Sequence, residues 1–175
     1  MGNHRRSDAS NPCWAIVPAA GIGTRMRSDL PKQYLRLRGK TLLEHTLERL
    51  LAIPDLAGVV LALSPTDPYW EQLPLAGNAR IAVVDGGSER SRSVLNALNY
   101  LTLQAEAEDW ILVHDAARPC ITPSAIASLR RHTANHPEGG ILGVPVGDTL
   151  KRVGPRNVIT DTCDRRGLWQ AQTPQ

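Results

Sequence analysis

Two basic side chains follow a glycine-rich segment near the start of the chain, within AAGIGTRMRSDLPKQYL. Gly21 and Gly23 lack a Cβ, so backbone N–H groups at these positions can approach an anion closely. Arg25 and Lys32 can supply full positive charges to phosphate oxygens. The pattern predicts a phosphate-binding loop. It is neither a P-loop nor a complete dinucleotide fingerprint, because Met26 stands where the last glycine would. A tight turn without a ligand is the alternative.

A second cluster of small polar residues lies in the sequence DGGSERSRSV, which contains Gly87, Ser88 and Ser93. Paired glycines and serines before a helical pattern can shape a ligand-binding turn, but they are also typical of a plain helix cap. For Ser88 the cap is the favoured interpretation.

A third cluster, HDAARP, places Asp115 directly after an apolar run. A carboxylate at the end of a strand suits a divalent cation whose other ligands are phosphate oxygens and water. The alternative is that Asp115 caps the following turn and pairs with Arg118. His114 has no visible acid–base partner in the sequence, and no role is predicted for it.

Apolar runs and helical patterns alternate along the chain and must position these clusters. Continuous apolar runs predict strands at 14–18, 58–63, 81–84, 110–113 and 140–144. Between them, Thr41 and Glu44 form a capping box before a leucine-rich helical pattern, and Pro123 opens another helix. This alternation predicts an α/β fold with a Rossmann-like, mostly parallel sheet and helices on both faces. Ligands of such sheets bind beyond the carboxyl ends of the strands, where the three clusters lie.

The length of 175 residues and a hydrophobic fraction of 42% fit one globular domain. We expect a disordered lead-in at 1–12, an α/β domain at 13–175, and a polar hairpin arm at about 147–166. The net charge of +3 with scattered arginines indicates no nucleic-acid partner, and no apolar run is long enough to span a membrane. The lead-in lacks a secretion signal, and the three cysteines are too dispersed for a disulfide framework, so we expect a reducing, cytoplasmic setting.

Taken together, the motifs closely resemble the family of 2-C-methyl-D-erythritol 4-phosphate cytidylyltransferases of the non-mevalonate isoprenoid pathway. The resemblance covers nearly everything after residue 13 and is carried by these segments: VPAAGIGTRM, LPKQYL, TLLEHT, VVDGGSERSRSV, LVHDAARPCI, GVPVGDTLKR and DRRGLWQAQTPQ. Polyol-phosphate cytidylyltransferases acting on ribitol phosphate usually have A-G-G in the first loop and H-D-x-V-R in the third. The sequences AAG and HDAAR therefore favour the erythritol family over this alternative.

The resemblance implies that a phosphate oxygen of the substrate attacks the α-phosphorus of CTP and that pyrophosphate leaves. It implies Arg25, Lys32 and Arg165 as catalytic residues and Asp115 as the residue that meets Mg²⁺. It implies a CTP-binding set made of Ala19, Ala20, Gly21, Gly23, Gly87, Ser88 and Ser93. It further implies a substrate-binding set made of Asp115, Arg118, Thr149, Arg165 and Thr173. Family members often have Asp in place of Ser88.

The apolar residues of the predicted arm have no obvious place in the core, so the arm needs a surface to pack against. A homodimer in which each arm lies on the other protomer meets this need. It would also bring Arg165 to the neighbour's substrate phosphate, as the resemblance implies. An arm folded back on its own sheet, or a disordered arm, is the alternative.

Family members continue beyond the T-P-Q motif through an acidic helix and a Lys-Val-Thr segment. We therefore expect the C-terminal part of the domain to be missing here, and an inactive nucleotide-binding or assembly fragment is the alternative function. An NAD-linked oxidoreductase is disfavoured, because the second strand ends in Leu63-Ser64-Pro65 without an acidic residue.

Overall fold

A central parallel sheet forms the core of the protein in the computed structural model, which describes residues 11–21 and 30–175. Ten strands are numbered in chain order: β1 (Cys13–Pro18), β2 (Arg36–Leu37), β3 (Lys40–Thr41), β4 (Leu56–Leu63), β5 (Ile81–Asp85), β6 (Trp110–Val113), β7 (Gly143–Pro145), β8 (Leu150–Val153), β9 (Ile159–Cys163) and β10 (Trp169–Ala171). The central sheet has the order β5-β4-β1-β6, and all of its pairings are parallel. The predicted Rossmann-like architecture is confirmed.

Three helices cover the sheet: α1 (Leu42–Leu51), α2 (Arg90–Leu101) and α3 (Pro123–Thr133). On one face, Ile16 and Val60 pack against Ala97 and Leu101 of α2. On the other face, the alternate strand residues pack against apolar residues of α1 and α3. The continuous apolar runs of β1 and β4 follow from this arrangement, because a strand in the middle of the sheet is buried on both sides.

The helix starts have different chemistry. At α1 the predicted capping box is present, since the Glu44 N–H donates to Thr41 Oγ1 at 3.1 Å and the Thr41 N–H donates to Glu44 Oε2 at 2.7 Å. In contrast, α2 begins after Glu89 without a side-chain cap, and its first turn carries Arg90 and Arg92. The amino end of α2 therefore carries two arginines next to the acidic N-cap residue Glu89.

The fifth predicted strand, at 140–144, does not join the central sheet. Gln175 instead pairs with Val113 of β6 through both backbone hydrogen bonds, at 2.9 and 3.0 Å. The segment 172–175 thus lies between β6 and the chain near Leu142, whose carbonyl accepts from the Gln172 N–H at 2.7 Å. Because this returning segment takes the place beside β6, the neighbouring chain forms only β7, antiparallel to β10.

The segment predicted as an arm contains the antiparallel hairpin β8–β9. Its apolar side chains are largely exposed, including Val153 at 51%, Val158 at 56% and Ile159 at 60%. In the part of the chain that the structure describes, no helix is both long and apolar enough to cross a membrane.

Candidate functional site

The loops after β1, β5 and β6 meet at one edge of the central sheet, because the strands are parallel and in close register. The first and second loops are bound to β4 between them. The Ala19 N–H donates to the Ala62 carbonyl at 2.8 Å, and the Gly86 N–H donates to the Leu63 carbonyl at 2.6 Å. Residues that are far apart in the sequence therefore form one surface.

Gly86 lets the first and second loops touch. A Cβ at this position would lie 2.3 Å from the Cβ of Ala20 and 3.0 Å from the Leu63 carbonyl oxygen, too close for any larger residue. Gly87 is equally restricted by the side chain of Arg92, whose Cγ would lie 2.2 Å from an added Cβ. The D-G-G sequence predicted a turn here. Only the structure shows which atoms, those of Ala20 and Arg92, leave no room for a side chain at the two glycines.

Ser93 holds the second loop in shape. Its side chain is 2% exposed, and its Oγ accepts from the Gly87 N–H at 3.0 Å while donating to the Glu89 carbonyl at 3.2 Å. Ser88, in contrast, is exposed on the turn. In the first loop, solvent exposure increases along the chain, from the buried Ala19 to the exposed Gly21.

Lys32 lies on a short 3-10 helix (Lys32–Tyr34) beside the first loop, and its side chain is exposed. The next residue, Gln33, is 2% exposed and donates through Nε2 to the Ala19 carbonyl at 2.7 Å and to the Gly21 carbonyl at 3.3 Å. Sequence analysis missed Gln33, although it lies next to a candidate lysine in P-K-Q. Gly23 and Arg25, both predicted site residues, lie outside the described residues.

Asp115 is the centre of an ionic cluster in the third loop. Its Oδ1 lies 3.0 Å from Arg90 Nε, and its Oδ2 lies 3.1 Å from Arg118 Nε. Arg118 also donates through Nη1 to Gln172 Oε1 at 2.5 Å. The pairing with Arg118, considered from the sequence as an alternative, is thus present. Arg90 is a further partner that the sequence analysis missed.

The returning segment 172–175 completes this cluster. The Asp115 N–H donates to the Oγ1 of Thr173 at 3.3 Å, and Thr173 is 8% exposed. Arg90 Nη2 lies 3.4 Å from Gln175 Oε1. The structure therefore brings together Asp115, Arg118 and Thr173 of the predicted substrate-binding set.

His114 is a buried residue that stabilises the third loop through a hydrogen bond to its backbone. The ring is fully buried, and because a carbonyl can only accept, Nε2 must donate to the Arg118 carbonyl at 2.9 Å. Burial lowers the pKa of His114 from its usual value. Within the described residues its Nδ1 has no hydrogen-bond partner. The neutral ring fixes the turn that presents Asp115 and Arg118.

Thr149 and Arg165 lie at the base of the arm, on either side of the hairpin β8–β9. Both are exposed, and Arg165 donates through Nη1 to the Gly147 carbonyl. In residues 11–21 and 30–175, no hydrogen bond or ion pair joins these two side chains to the Asp115 cluster. Among the described residues, Thr149 and Arg165 are therefore not bonded to the other predicted substrate-binding residues.

Among the described residues there is no group of three or more His, Cys, Asp or Glu side chains that could enclose a metal ion. Asp115 nevertheless fits Mg²⁺, which usually takes one or two protein carboxylates together with substrate phosphates and water. Its side chain is 29% exposed and lies at the same sheet edge as the glycine-rich loop. Both carboxylate oxygens face guanidinium groups, so a metal ion would compete with Arg90 and Arg118.

A Rossmann-like sheet whose edge combines a glycine-rich loop, a lysine and an aspartate paired with two arginines is typical of a nucleotidyltransferase site. Comparison with known proteins identifies the particular family. A sequence model of the 2-C-methyl-D-erythritol 4-phosphate cytidylyltransferases matches residues 13–175, so the chain belongs to this family, a group of transferases in isoprenoid biosynthesis.

Relatives named 2-C-methyl-D-erythritol 4-phosphate cytidylyltransferase agree with this assignment. That of Vibrio vulnificus is 52% identical over 161 residues, covering 92% of this chain and 68% of the relative. That of Pseudomonas savastanoi is 54% identical over 163 residues, covering 93% and 69%. A crystal structure of a 4-diphosphocytidyl-2C-methyl-D-erythritol synthase has a TM-score of 0.81 at 40% identity, covering 94% of this chain and 73% of that one. The Francisella tularensis enzyme has a TM-score of 0.79 at 37% identity, covering 94% and 71%.

Proposed function

We propose that this chain transfers the cytidylyl group of CTP to 2-C-methyl-D-erythritol 4-phosphate, releasing pyrophosphate and forming 4-diphosphocytidyl-2-C-methyl-D-erythritol. The observation that carries the proposal is the meeting of the first and second loops, through Gly86 and Ala20, at the sheet edge that also holds the Asp115 cluster. A nucleotide lying across the first two loops would present its phosphates toward the third.

The CTP subsite is formed by the first two loops, with Ala19, Ala20, Gly21, Gly23, Gly87, Ser88 and Ser93 as its residues. The Gly87 N–H is already bonded to Ser93 Oγ, so Gly87 is left with its carbonyl to accept from the base. Cytosine has a donor at N4 and an acceptor at N3, and uracil reverses both. Backbone groups matched to cytosine are therefore left unpaired by UTP.

Arg25 and Lys32 stabilise the negative charge that redistributes around the α-phosphorus, and Arg165 contributes a third charge on the substrate side. Transfer at phosphorus depends mainly on alignment and electrostatics, so no side-chain nucleophile is needed. The substrate phosphate is itself the nucleophile. Asp115 would hold Mg²⁺, which supplies charge neutralisation of the phosphates when bound.

The substrate subsite combines Asp115, Arg118 and Thr173 with Thr149 and Arg165. Because no hydrogen bond or ion pair within the described residues joins Thr149 or Arg165 to the Asp115 cluster, we assign them to the site of a second protomer. The exposed valine and isoleucine side chains of the arm support a homodimer in which these side chains are covered. A reducing cytoplasm, without nucleic-acid or membrane partners, is the proposed setting. The three cysteines, all free, support its reducing character.

The test is a pyrophosphate-release assay with CTP and 2-C-methyl-D-erythritol 4-phosphate in the presence of Mg²⁺. We expect turnover that falls strongly when UTP replaces CTP or when ribitol phosphate replaces the erythritol substrate. Equal turnover of CTP and UTP would contradict the cytosine assignment. Equal turnover of ribitol phosphate would contradict the erythritol assignment and would favour a polyol-phosphate cytidylyltransferase activity.

A further inference from the structure

Gln33 is a buried amide that joins two segments of the candidate site. Its side chain is 2% exposed, and its Nε2 donates both to the Ala19 carbonyl at 2.7 Å and to the Gly21 carbonyl at 3.3 Å. These two carbonyls belong to the first loop, before and at its first glycine. One side-chain group thus fixes the path of the backbone through the start of this loop.

Lys32 precedes Gln33 directly and shares its short 3-10 helix. The helix is held at both ends by backbone bonds, from the Tyr34 N–H to the Pro31 carbonyl at 2.8 Å and from the Leu35 N–H to the Lys32 carbonyl at 3.2 Å. Its side is fixed by the Tyr34 hydroxyl, which donates to Asp67 at 2.9 Å. The position of the Lys32 backbone is therefore set by a rigid unit, which Gln33 joins to the first loop.

We propose that Gln33 is a positioning residue that sets where the Lys32 ammonium lies relative to the nucleotide-binding loop. The inference rests on the proposed function, in which Lys32 acts on the CTP phosphates. Gln33 itself contacts backbone carbonyls, so its effect on the rate is exerted through the Lys32 ammonium. Small displacements of a charged group from the reacting centre can lower a rate by up to about a hundredfold.

A double-mutant cycle tests the proposal. Gln33→Met keeps the length of the side chain and removes both donors, and it is compared with Lys32→Ala and with the double variant. We expect Gln33→Met to lower kcat roughly 10- to 100-fold with a smaller change in KM for CTP. In the Lys32→Ala background the same change should cost less than about threefold, because residues that act through one group are not additive.

Thr133→Val is the matched control, since it removes a buried hydrogen bond to the Leu129 carbonyl in α3, a helix that carries none of the predicted site residues. We expect it to lower the unfolding midpoint as Gln33→Met does but to leave kcat within about twofold. If Gln33→Met does not fold, the cycle is carried out with Gln33→Leu, which also lacks the amide donors and places no charge against the two carbonyls. Circular dichroism at the assay temperature establishes folding of each variant.

The outcomes separate this inference from the proposed function. Equal fold-losses from the Gln33 change in both backgrounds, or an equal kcat loss in Thr133→Val, would show that Gln33 only stabilises the fold and would overturn the inference. Full activity of Lys32→Ala would overturn the role of Lys32 in the proposed function and this inference with it. A strong Lys32 effect combined with additivity would overturn the inference alone.

Discussion

The guanidinium of Arg90 lies 3.0 Å from the carboxylate of Asp115, although α2 and the third loop are separated by β6 in the sequence. This ion pair connects the end of the second loop to the residue proposed to hold Mg²⁺. Arg118 occupies the other carboxylate oxygen at 3.1 Å. Both carboxylate oxygens of Asp115 are thus paired with guanidinium groups, so a metal ion that binds here must share or replace one of these ion pairs.

Asp115→Asn should abolish Mg²⁺-dependent pyrophosphate release from CTP, because a neutral amide is a weaker ligand for Mg²⁺ than a carboxylate. Pyrophosphate is measured at saturating CTP and substrate, and the unfolding midpoint is measured in parallel. Asp55→Asn is the matched control, since Asp55 also pairs with an arginine, Arg130, at 2.5 Å but precedes β4 at the opposite end of the strand. Full activity of Asp115→Asn would rule out the metal role.

Alanine at Arg25 or Lys32 should lower kcat by on the order of 10²–10³ and change KM for CTP much less. Such a result is expected when a charge acts mainly on the transition state. Steady-state kinetics with varied CTP separates the two constants. Lys40→Ala is a suitable control, because the Lys40 ammonium pairs with Glu48 at 2.5 Å on the helix surface. An effect confined to KM would indicate binding of ground-state CTP only.

Gly86→Ala should lower the free energy of unfolding by about 1–3 kcal/mol, because the new Cβ overlaps the Cβ of Ala20 and the backbone must shift. It should also raise KM for CTP, since the two loops that hold the nucleotide are pushed apart. Urea denaturation and kinetics measure the two effects. Gly77→Ala is the control, as an added Cβ there meets nothing within 4 Å. Equal stability of the two variants would contradict the close contact.

Arg165→Ala mixed with Arg25→Ala should regain activity if each site takes Arg165 from the second protomer. With random exchange, half of the dimers are mixed and one of their two sites is intact, so about a quarter of full activity is expected. A mixture of Arg25→Ala and Lys32→Ala should stay inactive, because both changes fall in the same protomer's part of the site. Sedimentation showing only monomers, or no rescue after proven exchange, would eliminate the shared site.

The thiol of Cys13 should contribute a pH-dependent part of the stability. Burial raises its pKa from 9.0 to about 11, so the folded state favours the neutral thiol. That contribution is complete below pH 9 and is lost as the pH rises through 11, by roughly 2–3 kcal/mol at most. The stability difference between the protein and Cys13→Ala should therefore shrink from pH 8 to pH 11. Urea denaturation of both proteins at each pH measures this difference.

The sequence predicted those features that depend on local patterns. Continuous apolar runs located the four strands of the central sheet, and the T-x-x-E sequence at Thr41 located the start of α1, because burial and capping are both expressed in neighbouring residues. The segment 140–144 was misassigned because its place beside β6 is taken by residues near Gln175. That competition arises only when distant parts of the chain meet.

In the candidate site, too, the sequence revealed residues of a conspicuous type but not residues that matter through their distant contacts. Asp115 and the glycines were conspicuous as residue types at strand ends. Arg90 was not, because its partner lies 25 positions away, and Gln33 was not, because its partners are backbone carbonyls that no residue type marks. Positioning groups of this kind are recognised from three-dimensional contacts.

The amino end of α2 makes the fold itself sensitive to anions. Arg90 and Arg92 stand at the positive end of the helix macrodipole, an arrangement that costs up to about 1 kcal/mol per unpaired charge. Because Asp115 pairs with Arg90, the remaining cost falls mainly on Arg92. The helix persists because Ala97 and Leu101 are buried against the sheet. A polyanion bound beside this end would relieve the repulsion, so occupancy of the site and the melting temperature of the protein are thermodynamically linked.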